Sequence, residues 1–149
     1  MIQWREEITI AAPIDKVWEL FSDQHIKRIM PKVEEHTLIK KTETEAGAKH
    51  RQTYREGKRT ETYTVDTLIY EDLLDKKRKK IRFVLGNAFE ITLDFTLRRL
   101  DSTRTQFIYE GQNAGVNFVG RAMLKLGSQK SNHQSVQDFL QRVEQEALK

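Results

Sequence analysis

The alternation of apolar and polar residues over positions 88–98 constrains the fold of this 149-residue chain more than any other feature. The apolar positions are Phe89, Ile91, Leu93, Phe95 and Leu97, and a polar residue follows each of them. Successive side chains of a strand point to opposite faces of a sheet, so the stretch predicts a strand with one apolar and one solvated face. A sheet of this kind needs a single cover, which helices elsewhere in the chain must supply.

The same period of two extends over residues 33–111, and a further strand is predicted at 2–11. Turn signals divide the longer stretch at 45–47, 56–58, 75–80, 86–87 and 101–102. They separate it into six strands, which together with the first predict a seven-stranded antiparallel sheet.

The facing of residues 60–71 stays open in the sequence. One register turns Tyr63, Val65, Thr67 and Ile69 inward, and the opposite register turns Asp66, Leu68 and Tyr70 inward. A bulge could switch between the two. We favour the register that includes Tyr63.

Helices are predicted after the first strand and at the end of the chain. Pro13 ends the strand and is preorganised for a first helical turn, and a second short helix ends at Pro31. A long helical pattern then runs over about 116–147. Its apolar stripe contains Val119, Ala122, Met123, Leu126, His133, Val136, Leu140, Val143 and Ala147. This order of elements indicates an α+β fold in a single domain over residues 1–149.

The segment ITIAAPIDKVWELFSD (8–23) resembles the first strand and helix of the START-like, or SRPBCC, superfamily of polyketide cyclase/dehydrase-like proteins. Pro31, the hairpin series and the long terminal helix match this superfamily in place. The resemblance implies a helix-grip fold, in which a curved seven-stranded antiparallel sheet wraps round a long C-terminal helix and two short helices follow the first strand. It also implies an apolar cavity between the sheet and that helix.

Residues with the inward parity on the middle strands, together with two on the long helix, are the predicted ligand-binding residues. They are His50, Gln52, Tyr54, Tyr63, Phe83, Phe95, Phe107, Tyr109, Met123 and His133. His133 interrupts the apolar stripe and is the candidate acid–base group, although a structural histidine at the core edge explains it as well.

Three other features of the sequence bear on function. The run Lys76–Lys80 is predicted to be a solvated hairpin tip rather than a site for phosphates or an anionic membrane. The four histidines have no metal-ligand spacing, so neither a metal site nor a cofactor is predicted. The net charge of +4 comes from interleaved charges, which argues against DNA binding.

Binding of an apolar or aromatic small molecule, such as a lipid or polyketide, is therefore the leading functional hypothesis. A cyclase, aromatase or dehydratase acting in the same pocket is the first alternative, and a protein- or RNA-interaction module is the second. No signal peptide and no membrane-spanning segment is recognisable, so a cytoplasmic location is expected. An exposed edge strand could also support a homodimer.

Overall fold

A computed structural model describes residues 1–126 and 129–149 of the chain. One seven-stranded antiparallel sheet in the described residues has the strand order β1-β7-β6-β5-β4-β3-β2. Its strands are β1 (Ile2–Ile10), β2 (Val33–Lys40), β3 (Lys49–Glu56), β4 (Arg59–Asp72), β5 (Lys76–Leu85), β6 (Phe89–Asp101) and β7 (Arg104–Gly115). The helices are α1 (Ile14–Glu19), α2 (Ile26–Ile29), α3 (Phe118–Leu126) and α4 (Gln129–Ala147). The predicted α+β helix-grip fold is confirmed.

The core lies between the inner face of the sheet and the helices α1, α2 and α4. The buried stripe of α4 consists of Val136, Leu140, Val143 and Ala147, as the helical period predicts. Facing it are fully buried sheet residues such as Phe95, Leu97 and Phe107. This apolar contact holds α4 against the sheet and fixes which of its residues point into the interior.

The first part of the predicted terminal helix does not cover the sheet as expected. Val119 and Met123 are 61% and 53% exposed. In α3 the close contact is made by Gly120 instead, because a Cβ atom there would overlap the carbonyl oxygen of Ala88. The side chain of Leu126 and residues 127–128, which the predicted stripe also crossed, lie outside the described part of the chain.

A bulge in β4 reconciles the two registers considered for this strand. The pairing with β5 shifts between Thr67 and Ile69. Before the shift Tyr63 and Val65 face inward, and after it Tyr70 faces inward against Trp18, with 5.5 Å between ring centroids. The extra residue thus turns Tyr70 toward α1.

The prediction that Lys76–Lys80 forms a hairpin tip is wrong, because these residues are the first half of β5. Lys77 and Lys79 point inward and are buried. The Lys77 ammonium contacts Asp72 and Asp15, and the Lys79 ammonium donates to the carbonyl oxygen of Phe21 at 3.1 Å. Internal partners make the inward lysines tolerable.

None of the helices in the described residues is both long enough and apolar enough to cross a lipid bilayer.

Candidate functional site

A cavity of about 350 Å³ lies between the inner face of β3–β6, the segment from α2 to β2, and α4. Apolar side chains of the strands, of the segment from α2 to β2 and of α4 all line it. The wall residues are Ile29, Met30, Pro31, Val33, Ile81, Phe83, Leu93 and Phe139. The position matches the cavity that the family resemblance implies.

Two stacked rings form the aromatic part of the wall. The rings of Tyr63 and Phe83 have centroids 4.6 Å apart and an angle of 14° between their planes. Tyr63 lies on β4 before the bulge and Phe83 lies on the adjacent β5, so the inward parity of both strands brings the rings together. A flat apolar surface of this kind suits an aromatic or alicyclic ligand.

Polar groups on β3 and β4 interrupt the apolar wall. Gln52 is only 4% exposed, and its side-chain amide donates to the Tyr63 hydroxyl at 2.8 Å. Tyr54 lies further along β3 and donates to the Glu56 carboxylate at 2.6 Å. Burial raises the pKa of both tyrosines, so their hydroxyls stay protonated at neutral pH. Because Tyr63 accepts from Gln52, its own proton is available for a ligand in the cavity.

The side of the cavity formed by α4 carries both signs of charge. Asp138 and Arg142 lie one helical turn apart and line the cavity together with the small residue Ser135. These three residues are exposed to solvent on the same helix. The cavity thus combines an apolar interior with a polar rim.

The structure brings four of the predicted ligand-binding residues to this cavity, namely Gln52, Tyr54, Tyr63 and Phe83. Three others fill the interior instead. Phe95, Phe107 and Tyr109 pack with Phe21 and Phe139 in one aromatic cluster; the Tyr109–Phe139 centroid distance is 4.7 Å and the Phe21–Phe95 distance is 4.9 Å. The interior is therefore packed beneath β6 and β7 and hollow on the side of β3–β5.

Met123 and His133 lie outside the cavity. Met123 is on the solvent side of α3, and His133 is exposed in a shallow groove that Trp4 and Val136 also line, beside the edge strand β1. His133 lies on the same face of α4 as the buried Val136 and Leu140, but this end of the helix extends beyond the packed interior. An acid–base role for His133 in the cavity therefore has no geometric support.

His50 faces a second, more polar chamber of about 340 Å³. Its Nε2 atom is 2.8 Å from Oδ2 of Asp23, and Nε2 of His36 is 3.2 Å from Oδ1 of the same carboxylate. The two imidazole rings stack with their centroids 4.4 Å apart. The hydrogen bonds with His36 and His50 hold the pKa of Asp23 well below its usual range.

Sequence reasoning missed Asp23 and Lys79, which line this chamber, and His36, which contacts Asp23. Lys79 is buried, and burial lowers the pKa of its amine. Asp23 follows α1, whereas His36 and His50 lie on the paired strands β2 and β3. The only sequence signal was the shared parity of His50 and Gln52, since the β2–β3 register that brings His36 beside them is not readable from residue spacing.

The model of the family described as polyketide cyclase / dehydrase and lipid transport matches residues 1–147. No curated protein matches the sequence significantly.

Several solved structures have the same fold. The aromatase/cyclase Zhui from Streptomyces sp. R1128 is 17% identical, with a TM-score of 0.69 over 96% of this chain and 93% of that one. TTHA0849 from Thermus thermophilus is 15% identical, with a TM-score of 0.68 over 99% and 97%. Norcoclaurine synthase from Thalictrum flavum, in complex with dopamine and hydroxybenzaldehyde, is 13% identical, with a TM-score of 0.61 over 99% and 86%. At these identities the likeness establishes the fold alone.

Proposed function

The chain belongs to the polyketide cyclase / dehydrase and lipid transport family, and we propose that it binds a compact apolar or aromatic small molecule in the cavity between β3–β6 and α4. The observation that carries the proposal is the partly buried Gln52–Tyr63 hydrogen bond beside the apolar part of the wall. A few oriented polar groups in an apolar pocket are the usual arrangement for holding a small molecule in one orientation.

The size of the cavity narrows the ligand class. Its volume of about 350 Å³ is near the lower end of the range for small-molecule sites, roughly 300–1,000 Å³. The stacked Tyr63 and Phe83 rings offer a flat surface to a ring system, and the Tyr63 hydroxyl offers a hydrogen-bond donor. These features favour a compact aromatic metabolite with one polar substituent over a lipid with two acyl chains.

A cyclase, aromatase or dehydratase reaction in the same cavity is the second candidate function. The Tyr63 hydroxyl supports it, because a protonated phenol can donate a hydrogen bond to a substrate carbonyl and stabilise the charge that develops there. However, the titratable residues described along the cavity are Lys32, Tyr54, Tyr63, Asp138 and Arg142, and no histidine is among them. Binding without turnover therefore fits the described residues better.

The third hypothesis, an interaction module built on Lys76–Lys80, has less support. Lys77 and Lys79 are turned into the protein in β5, and the outward Lys76 and Arg78 pair with Glu71 and Asp94, which leaves less charge for an anionic partner.

Native mass spectrometry of the protein as purified, followed by solvent extraction, tests the proposed function. We expect a stoichiometric bound species of low molecular mass, or a free cavity that takes up added aromatic compounds with one-to-one stoichiometry. The proposal would be contradicted if the protein carried no bound species and also showed no saturable uptake of any aromatic compound. Turnover of a bound polyketide-like compound, lost in Tyr63→Phe, would favour the second candidate function.

A further inference from the structure

Three side chains that are far apart in the sequence meet beside the polar chamber. Asp23, His36 and His50 each offer one ligand atom, and these atoms all lie within 4.8 Å of one another. Two imidazole nitrogens and one carboxylate oxygen form a donor set found at zinc and non-haem iron sites that keep an open coordination position.

The hydrogen bonds around His36 direct its Nε2 atom toward the Asp23 carboxylate. Nδ1 of His36 is 2.8 Å from Oε1 of Gln52, which can only accept, so Nδ1 carries a proton. Nε2 of a neutral His36 then presents its lone pair to the Asp23 carboxylate, 3.2 Å away. Two acceptors at this distance repel each other unless a second proton on His36 or a metal ion lies between them.

Gln52 and Tyr63 hold the His36 ring in this orientation. The Gln52 amide nitrogen donates to the Tyr63 hydroxyl, which directs its oxygen toward His36. A protein group bonded to the second nitrogen of a histidine is the usual support of a metal ligand, because it fixes the tautomer and the ring orientation.

The cluster can also be reached from solvent. The imidazoles of His36 and His50 are almost completely buried, whereas the Asp23 carboxylate is 44% exposed. Asp23 and His50 line the chamber together with Trp18, Thr67 and Tyr70. An ion on these ligands would have its open position toward this chamber, where water or a small polar ligand fits.

We propose that Asp23, His36 and His50 bind a divalent transition-metal ion through one carboxylate oxygen and the two Nε2 atoms. The donor set favours Zn²⁺ and similar ions over Mg²⁺ and Ca²⁺, which prefer oxygen ligands. The site is separate from the proposed ligand cavity, although Gln52 contacts both.

Equilibrium dialysis of chelator-treated protein against Zn²⁺, followed by elemental analysis, tests the site. We expect one tightly held equivalent of Zn²⁺ and no comparable uptake of Mg²⁺. His36→Ala and His50→Ala should each weaken Zn²⁺ binding at least about 100-fold, since losing even an outer partner of a ligand costs roughly 10–100-fold. His25→Ala is the matched control, because His25 contacts Glu19 and Ser22 outside the cluster, and it should bind Zn²⁺ as the wild type does.

A measurement on the unaltered protein avoids dependence on how well the variants fold. Zn²⁺ should shift the imidazole ¹⁵N resonances of His36 and His50, with the change largest at Nε2, and leave those of His25 and His133 in place. Absence of a stoichiometric Zn²⁺ ion, equal binding by the His36→Ala and His50→Ala variants, or shifts centred on His25 or His133 would overturn the proposal. In the first case the cluster is a hydrogen-bonded His–Asp–His group without a metal ion.

Discussion

The side-chain amide of Gln52 donates a hydrogen bond to the hydroxyl of Tyr63 across the β3–β4 pair, with 2.8 Å between the two atoms. This bond joins the two candidate sites, because Tyr63 lines the apolar cavity and the oxygen of Gln52 holds His36 beside Asp23. The pairing of β2, β3 and β4 thus brings together an aromatic ring, a hydroxyl donor and a histidine.

The first prediction concerns the hydroxyl of Tyr63. Tyr63→Phe keeps the ring stacked on Phe83 and removes the donor, so affinity for 2-naphthol should fall by about fivefold to tenfold, as expected for one lost hydrogen bond of roughly 1 kcal/mol. Affinity for naphthalene, which lacks a hydroxyl, should stay within a factor of two in the same titration. An equal loss for both compounds would place the effect in cavity shape instead of hydrogen bonding.

The second prediction separates the packed half of the interior from the hollow half. Phe107 is fully buried in the aromatic cluster, so Phe107→Ala should lower the free energy of unfolding by about 3–5 kcal/mol. Phe118→Ala is the control, since Phe118 is 78% exposed and its loss should change stability by about 0.5 kcal/mol or less. Urea denaturation measures both, and a small effect at Phe107 would mean that the cluster is not closely packed.

The third prediction concerns the contact of α3 with the turn between β5 and β6. In Gly120→Ala the new Cβ overlaps the Ala88 carbonyl oxygen, and this overlap should cost about 1–3 kcal/mol of folding stability. The gain in helix propensity is about 1 kcal/mol, so the variant should be less stable than the wild type. Val119→Ala, an exposed change on the same helix, should be close to neutral. A more stable Gly120→Ala protein would show that α3 does not lie this close to Ala88.

The fourth prediction is the pH dependence caused by Lys79. Burial lowers the pKa of its amine in the folded protein below the ordinary value of 10.5, so the unfolded chain binds more protons between these two pKa values. Stability contributed by this residue should therefore rise with pH in that window, and Lys79→Met should lose the rise. Lys80→Met, on the outer face of the same strand, should retain it. Chemical denaturation at a series of pH values compares the slopes, and equal slopes for wild type and Lys79→Met would contradict the prediction.

The strands and their faces could be predicted from the sequence because burial imposes a period of two on them, and Phe83 and Phe95 follow it closely. The sequence did not show which inward-facing residues line the cavity and which pack in the core. Phe95 and Phe83 have the same parity on neighbouring strands. Phe21, which follows α1, and Phe139 of α4 pack against Phe95, whereas Phe83 is left at the cavity.

The grouping of histidines was hidden for a related reason. His36 and His50 meet because the β2–β3 register pairs His36 with Gln52 and Leu38 with His50, which makes the two histidines diagonal neighbours on one face. The register of one strand on another depends on the tertiary fold, and residue spacing along the chain carries no record of it.

Binding of the neutral fluorophore N-phenyl-1-naphthylamine to wild type and Ser135→Trp tests the central claim most directly. Ser135 is an exposed residue of α4 that lines the cavity, so an indole there can fill the space without disturbing the core. We predict saturable one-to-one binding to the wild type and to Gln141→Trp, an exposed change on α4 away from the cavity, and at least tenfold weaker binding to Ser135→Trp. Equal affinity for all three proteins, or no saturable binding to the wild type, would contradict the assignment of this cavity as the ligand site.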